Sequence, residues 1–502
     1  MPPRIEGTIP RKCSAARFGI IRRAYNPAGQ PGVHLQASTV EFVVSYAVKH
    51  LKGESILIHE QIDVSQPLGF APDPGLSQRD ILLNTRQMAL HLGAELSIAQ
   101  TGHPCELMNV RIARATYRFA KDLRVLYQFE VNKQWHAVHA RTFPAGTSKA
   151  VYERAREAAV TGDILRPIAH SGSLDAVFWT FPNDRKISKL TVLTDGHGPY
   201  ASLLGGCWDS TRLITWSPER AATAQCLNSA GKVLAYAKVY ANDDGLRSYQ
   251  IHNDLCRELG ERDTYLRLPH ALAYDDTSRL LLLEPIAGQN YAELEDRTLQ
   301  TAIQGFGAAL ARLHMLSPPR IATPVKGWDQ AALEKAARVI SQARPDVAQS
   351  AMALCDELIA KTPASMAAPV CLHGDVNFKN WIAMDKGVAL IDLEAIATGD
   401  AAIDLGGVLA GLWYRRCLGH FSETLGQQLA IGFLRGYASV RALPKTSVIL
   451  RYTATALFAE RTYRSVTRVR PDGLAVLQNL LDDAYTLIKN NTVSDELRSW
   501  LY

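Results

Sequence analysis

The chain has 502 residues, with 55 lysines and arginines against 49 aspartates and glutamates, a formal net charge of +6. Apolar residues make up 47% and charged residues 21%, which excludes a disordered, collagen-like or coiled-coil description of the whole chain. At roughly 150 residues per domain the length suggests about three folding units, and the dispersed basic excess suits anionic ligands such as nucleotides but is too weak for a nucleic-acid binder.

The opening residues lack the apolar stretch of a secretory signal, and the longest apolar run, residues 405–414, is far short of the ~20 residues of a membrane span. A protein acting away from membranes is expected. The 8 cysteines contain no C-x-x-C pair and read as reduced thiols of a cytoplasmic protein, without a cluster that would hold zinc.

Residues 1–105 form a region of unclear fold. Runs 42–48 and 55–59 are apolar but too short to separate strand from helix. Residues 69–75 read as a loop, and 77–96 as one helix with Ser77 near its N-cap and Ile81, Leu82, Met88, Leu90 and Leu92 as its apolar side. Next, 123–131 and 135–143 flank the polar turn Asn132-Lys133-Gln134 as a hairpin. A helical stretch at 148–160 and a strand from Ala176 ending at a Pro182 bend follow.

The same order of elements recurs about 97 positions later. That shift pairs Phe119 with Trp216, Gln128 with Gln225, Arg141 with Lys238 and Tyr152 with Tyr249, while Phe181-Pro182 resembles Glu284-Pro285. This pattern reads as an internal duplication. Beyond Gly288 the patterns are helical at 298–316, 329–361 (interrupted near Pro345), 422–437, 448–469 and 473–489, around a β-rich stretch at 369–396. Strands first and helices later describe an α+β protein of two lobes, with segments 1–105, 106–200, 201–288 and 289–502.

The informative chemistry lies in the β-rich stretch. A loop carrying His373, Gly374, Asp375 and Asn380 is followed by a strand delivering Asp392 and Glu394. Phosphoryl transfer needs a carboxylate to orient the acceptor hydroxyl, and an amide oxygen plus a carboxylate to hold Mg²⁺ on the nucleotide. The whole His-Gly-Asp-x-x-x-x-Asn and Ile-Asp-x-Glu string is too specific for a set of surface turn residues.

These motifs resemble the aminoglycoside phosphotransferase-like family, relatives of the protein kinases that phosphorylate small molecules. The resemblance implies a protein-kinase-like fold, with a β-rich small lobe and a helical large lobe, preceded here by a degenerate small-lobe-like repeat. It implies Asp375 as catalytic base, His373 as a brace of the catalytic loop, Asn380 and Asp392 as metal ligands, and Asp404 as a structural aspartate. Lys238 is then the strand lysine contacting nucleotide phosphates, paired with an acid from the next helix, Glu258 or Asp254. Residues Glu284 to Ala287, with Ile286 among them, become the hinge whose backbone receives adenine.

Two departures stand out. The turn around residues 217–222 has no glycine to let backbone N–H groups approach phosphate closely, leaving Arg220 to compensate or the turn farther off. The upstream copy has Arg141 where Lys238 stands, and arginine is not equivalent at a tight phosphate site. Near the end, Arg461, Arg464, Arg468 and Arg470 fit either a solvated helix face or a wall facing an anionic acceptor. The expected activity is ATP- and Mg²⁺-dependent transfer of the γ-phosphoryl group to a hydroxyl of an aminoglycoside, sugar or amino alcohol. The alternatives are a kinase-shaped protein that binds nucleotide without catalysis and, less well matched, a peptide kinase.

Overall fold

The computed structural model describes residues 62, 68–97, 106–162, 164–194, 199–260, 263–325, 327, 329–361 and 368–489. The apolar runs 42–48 and 55–59 lie outside them. The single helix expected at 77–96 is two, α1 (Arg79–Leu83) and α2 (Thr85–Leu96). The break is at Asn84, whose side chain accepts from the Arg86 and Gln87 N–H groups and caps α2, in place of Ser77. Leu82, Met88 and Leu92 are buried as read, whereas Leu90 is exposed.

Strands β1 (Met108–Arg118), β2 (Asp122–Val131) and β3 (Gln134–Thr142), helix α3 (Ser148–Glu157), and strands β4 (Ile168–Ser171) and β5 (Ala176–Thr180) follow. Together the strands make an antiparallel sheet of order β1-β2-β3-β5-β4. Its expected hairpin turns through Asn132 and Lys133, at φ 52° and 64°, a two-residue turn whose twist matches the strands it joins.

A second sheet is built from β6 (Ser210–Ser217), β7 (Ala221–Leu227) and β8 (Val233–Tyr240), then, after α4 (Asp244–Leu259) and the short β9 (Leu266–Arg267), β10 (Ala271–Asp275) and β11 (Leu280–Leu283). Its order is β6-β7-β8-β11-β10, the order of the first sheet strand for strand. The duplication read from a few identities is therefore a duplication of topology. The sheets share an apolar layer in which Ala113, Leu126 and Ala137 meet Trp216, Ala224, Ala237 and Leu282. Alternation along β8 puts Ala235, Ala237 and Val239 into that layer and turns Tyr236 and Lys238 to the other face.

The large lobe is helical: α5 (Asp296–Leu313), then, beyond β12 (Thr323–Pro324), α6 (Gln330–Ala343) and α7 (Ala348–Ala360). Further along the chain come α8 (Ala401–Cys417), α9 (Glu423–Ala438), α10 (Thr446–Ala456), α11 (Tyr463–Thr467), α12 (Pro471–Ala475) and α13 (Leu477–Lys489). Helices α5 and α9 touch backbone to backbone: a Cβ at Gly307 would sit 2.0 Å from the Phe433 carbonyl oxygen. Between α10 and α11 the pattern read as one helix passes through a π-helical turn, Leu457–Thr462. There the Thr462 hydroxyl bonds the Leu457 carbonyl, five residues back, at 2.9 Å.

The reading of all cysteines as reduced thiols is corrected: Cys207 is disulfide-bonded, while Cys226, Cys256, Cys355, Cys371 and Cys417 are free. Spacing along the chain does not show which distant thiols meet in space. Among the described residues, no helix is long and apolar enough to cross a membrane.

Candidate active site

The loop of interest leaves β13 (Val370–Leu372) and runs to the hairpin of β14 (Trp381–Ala383) and β15 (Val388–Leu390), after which β16 (Ala397–Gly399) returns beside β13. Asp404, in the first turn of α8 and 3% exposed, is its anchor. Its carboxylate accepts from the backbone N–H groups of His373 at 2.7 Å and Gly374 at 3.1 Å. His314, which follows α5, lies 3.1 Å from the same carboxylate and 2.8 Å from the Tyr437 hydroxyl. A carboxylate this deeply buried is tolerated because each oxygen has donors and the α8 N-terminus favours negative charge.

Gly374 has no substitute. Its φ is +78°, and a Cβ there would meet the Ala395 carbonyl oxygen at 2.0 Å. The His373 Nε2 reaches the Ile391 carbonyl at 3.0 Å, tying the loop to the residue before Asp392. Asp375 keeps a third of its side chain exposed, 35%, facing the cleft. Asn380 is buried at 4%. Its Nδ2 donates to the Asp375 carbonyl at 2.9 Å and lies 3.4 Å from Oδ2, so its Oδ1 remains the acceptor end. The Asn380 carbonyl accepts from the Ile391 N–H at 3.0 Å, which sets Asp392 beside the loop. Asp392 itself is left-handed, φ 62° and ψ 55°, an uncommon conformation for a non-glycine residue and one that clusters at functional sites.

Lys238 crosses to this group. β8 is interior, paired with β7 and β11, so an edge-strand lysine reaching solvent is excluded. Its Nζ is 3.2 Å from Asp392 Oδ1 and is also ion-paired with Glu394, which accepts from the Tyr240 hydroxyl as well. Burial works against the ammonium, but Asp392, Tyr240 and Glu394 outweigh it and hold the lysine well above its ordinary value. The Lys238 charge, opposed by burial and aided by Lys379, holds the Asp392 carboxyl down to about 2. The pair is ionic at neutral pH.

The structure does not bring Glu258 to Lys238. Glu258 is exposed and accepts from the Ser317 hydroxyl at 2.9 Å, and Asp254 pairs with Arg257 at 3.1 Å. The cleft end of α4 is its beginning, where Arg247 donates to the Glu394 and Ile396 carbonyls at 2.6 and 3.0 Å. Position 258 lies eleven residues on, about 16 Å further along the axis. The carboxylate partner comes instead from the large lobe, at Glu394. That residue was visible two positions after Asp392, but its pairing with Lys238 was not.

At the expected hinge, the Glu284 side chain accepts from Arg267 at 2.7 Å and from the His270 N–H at 2.9 Å. Ile286 is half-buried in the following linker. Gly288 lets that linker lie against β14: a Cβ there would be 2.3 Å from the Ala383 carbonyl oxygen, and Gln289 and Ala383 exchange two backbone bonds of 2.8 Å.

The glycine-free turn has an arrangement the sequence did not suggest. Glu219, at φ 63° and 5% exposed, reaches from the turn into the upstream sheet. It accepts from Arg141 and from Arg185, the latter at 2.7 and 3.0 Å, with Arg124 at 3.5 Å. Asp184, two residues past the upstream Pro182, accepts from the Glu219 N–H at 2.9 Å and the Trp216 indole at 3.1 Å. Arg141, the counterpart of Lys238, thus holds the turn rather than a ligand. The opposing burial of Glu219 is outweighed by Arg185 and Arg141, so its carboxyl lies well below the usual range.

Among the described residues no group of three or more His, Cys, Asp or Glu stands ready for a metal. The expected pair, the Asn380 amide oxygen and the Asp392 carboxylate, is an oxygen donor set that suits Mg²⁺ completed by waters. A separate groove lined by Glu334, Arg338, Met352 and Ile359 lies between α6 and α7 and includes none of these residues.

This loop, its carboxylates and the lysine that meets them lie in an α+β chain that has known relatives over part of its length. Residues 244–443 match the model of the phosphotransferase enzyme family, a span that contains Asp375, Asn380, Asp392 and Asp404 and begins just after Lys238. No curated protein matches the chain. Solved structures similar to it include a thermostable mutant of aminoglycoside phosphotransferase APH(4)-Ia in a ternary complex with ADP and hygromycin B, at 13% identity and TM-score 0.42 over 56% of this chain and 95% of that one. A choline/ethanolamine kinase family protein from Mesorhizobium loti is 15% identical, with TM-score 0.41 over 59% of this chain and 94% of its own. Amicoumacin kinase hAmiN, in complex with AMP-PNP, Ca²⁺ and Ami, is 14% identical, with TM-score 0.40 over 59% and 91%.

Proposed function

We propose that the protein is an ATP-dependent phosphotransferase that moves the γ-phosphoryl group to a hydroxyl of a small molecule. One observation carries this reading: Lys238 leaves an interior strand of the small lobe and ends on Asp392, beside a loop on which Asn380 holds Asp375. Asp375 accepts the proton of the acceptor hydroxyl. The acceptor oxygen bonds to the γ-phosphorus as its bond to the β–γ bridging oxygen breaks, and the electron pair leaves with ADP. Lys238 serves the α- and β-phosphates, and Asn380 and Asp392 are the residues that would hold Mg²⁺. The metal ion, when bound, neutralises phosphate charge. Positioning and charge stabilisation account for most of the rate in such reactions.

A second reading, nucleotide binding without catalysis, is favoured by the glycine-free turn that Glu219 fastens to the upstream sheet. Both are tested by measuring nucleotide binding together with ADP release across hydroxylated metabolites, for the wild type and Asp375→Asn. Turnover lost in Asp375→Asn with nucleotide affinity retained supports the kinase. Mg²⁺-dependent binding with no turnover on any acceptor supports the binding protein, and turnover indifferent to Asp375→Asn removes the assigned base.

A further inference from the structure

One arginine stands beside Asp375, and a second, four residues further on, reaches the upstream sheet. Arg464, on α11, lies 4.0 Å from Asp375 Oδ1 and 3.9 Å from Glu460. Arg468, one residue past α11, donates to the Thr116 hydroxyl of β1 at 3.3 Å, and α11 packs on β1. Arg114 and Thr116 alternate with the buried Ala115 and share a face of β1, so Arg114 sits next to that contact. Arg220 comes from the turn that Glu219 fastens to the same upstream sheet. Val469, a β-branched residue at φ 51°, bends the chain beside Arg468. The strain at such a residue marks an arrangement held by its surroundings.

The charges do not cancel. Along the neighbouring row of the upstream sheet, Arg118, Arg124, Arg141 and Arg185 are met by Asp122 and Glu219. Among the described residues Arg114 has no carboxylate and no hydrogen-bond partner. Burial, and then the charges of Arg468, Arg220 and Arg470, pull it below the ordinary arginine value. Arg468 is lowered in the same way, with Arg464, Arg470 and Arg220 as its charged neighbours. A half-buried guanidinium that, like Arg114, faces like charges and no carboxylate is costly. An anion placed among them removes the cost and gains charge-assisted hydrogen bonds.

We propose that Arg114, Arg464 and Arg468 form the acceptor-side anion site, and that the acceptor is a small alcohol already carrying a phosphate group. The inference rests on the phosphotransferase reading and specifies its substrate class. Guanidiniums from the β1 face and from the end of α11 suit a tetrahedral oxyanion of more than one charge, whereas a single carboxylate is satisfied by one bidentate arginine. The same wall repels the amine-bearing acceptors, aminoglycosides and amino alcohols, that the resemblance alone left open. It also gives the upstream domain a part in substrate recognition through Arg114, while the domain lacks a catalytic loop of its own. The product therefore carries two phosphate groups, and a reaction that supplies this substrate must itself deliver a phosphorylated alcohol.

Two measurements test the proposal separately from the kinase reading. Inorganic phosphate is titrated calorimetrically into the full chain, with and without saturating AMP-PNP and Mg²⁺, for the wild type, Arg114→Gln and Arg468→Gln, with thermal melting confirming that each variant is folded. Phosphate binding is expected in both conditions and weakens by roughly 10- to 100-fold in either variant, with AMP-PNP affinity unchanged. ADP release is then compared for matched acceptors, glycerol against glycerol phosphate and glucose against glucose 6-phosphate. Turnover confined to the phosphorylated members, and reduced through KM by Arg114→Gln, supports the site. Absence of phosphate binding, binding indifferent to both variants, or efficient turnover of neutral or cationic alcohols overturns it, whatever becomes of the kinase. If AMP-PNP does not bind at all, the kinase reading fails, while the nucleotide-free titrations still decide the arginine site.

Discussion

The upstream sheet and the small-lobe sheet have one strand order and opposite fates. In the second, the cation on the third strand, Lys238, points across a cleft to Asp392 and Glu394. In the first, its counterpart Arg141 pairs with Glu219 of the β6–β7 turn and with Asp122 of its own sheet. Two positions earlier, the half-buried Tyr236 is matched by His139, fully buried and stacked on Trp179 with rings 5.6 Å apart. Topology is thus preserved while the third-strand cation meets carboxylates of the large lobe in one copy and a carboxylate of the β6–β7 turn in the other. The upstream sheet thereby supports a turn of the second.

The comparison breaks most visibly at the cleft. Asp375→Asn is expected to lower kcat by about 10²- to 10⁴-fold, the range of a general base, with nucleotide affinity retained. Its upstream counterpart cannot be made, because no such loop exists there. Lys238→Arg keeps the charge but not the compact ammonium, and should reduce kcat/KM by roughly 10²-fold, read in steady-state kinetics.

The reciprocal change probes stability. Glu219→Ala leaves Arg141, Arg185 and Arg124 without their shared acceptor and should cost about 3–5 kcal/mol, measured by denaturant unfolding. Arg141→Lys keeps the charge, loses part of the pairing and should cost about 1.5–3 kcal/mol, without altering the pH profile of turnover.

Acid should weaken the fold through the buried histidines. Burial pulls His139 down to about 3 and His252 down to about 4. Between the unfolded value near 6.5 and those folded values, the unfolded chain binds more protons. Stability should therefore fall as pH drops through that window, by about 1.4 kcal/mol per unit for each histidine. His139→Phe, retaining the stack, should flatten part of that slope in melting temperatures between pH 7 and 4.5. The Glu219 contribution is a separate limb: its lowered carboxyl stabilises above the unfolded glutamate value near 4.3 and is lost as pH falls below it.

The smallest effect sharpens the same contrast. Glu258→Gln removes an exposed carboxylate remote from Lys238 and should change stability by less than about 0.5 kcal/mol, with nucleotide affinity unaltered in the same titration.

What was legible in the sequence was what repeats or sits close together. His373, Asp375 and Asn380 are two to seven residues apart and Asp392 follows within one hairpin, so local backbone geometry almost suffices to gather them. Lys238 was singled out through the resemblance, and its turn out of the apolar layer is seen only in the structure. Glu258 failed because helix position was read without knowing which end of α4 meets the cleft. The Ser77–Leu96 helix failed at Asn84, where a side-chain cap competes with helix continuation.

By itself, then, the amino-acid order determined the class of the catalytic loop, the α+β division and the existence of two copies, because these depend on short-range periodicity and spacing. Only the tertiary structure decided that Glu394 answers Lys238, that Glu219 fastens the β6–β7 turn to Arg141 and Arg185, and that Arg468 reaches Thr116 of the upstream sheet while Arg464 lies beside Asp375. Those contacts join residues from 34 to more than 340 positions apart, and charge pairing over such separations is set by how the sheets and helices pack, which no local pattern encodes.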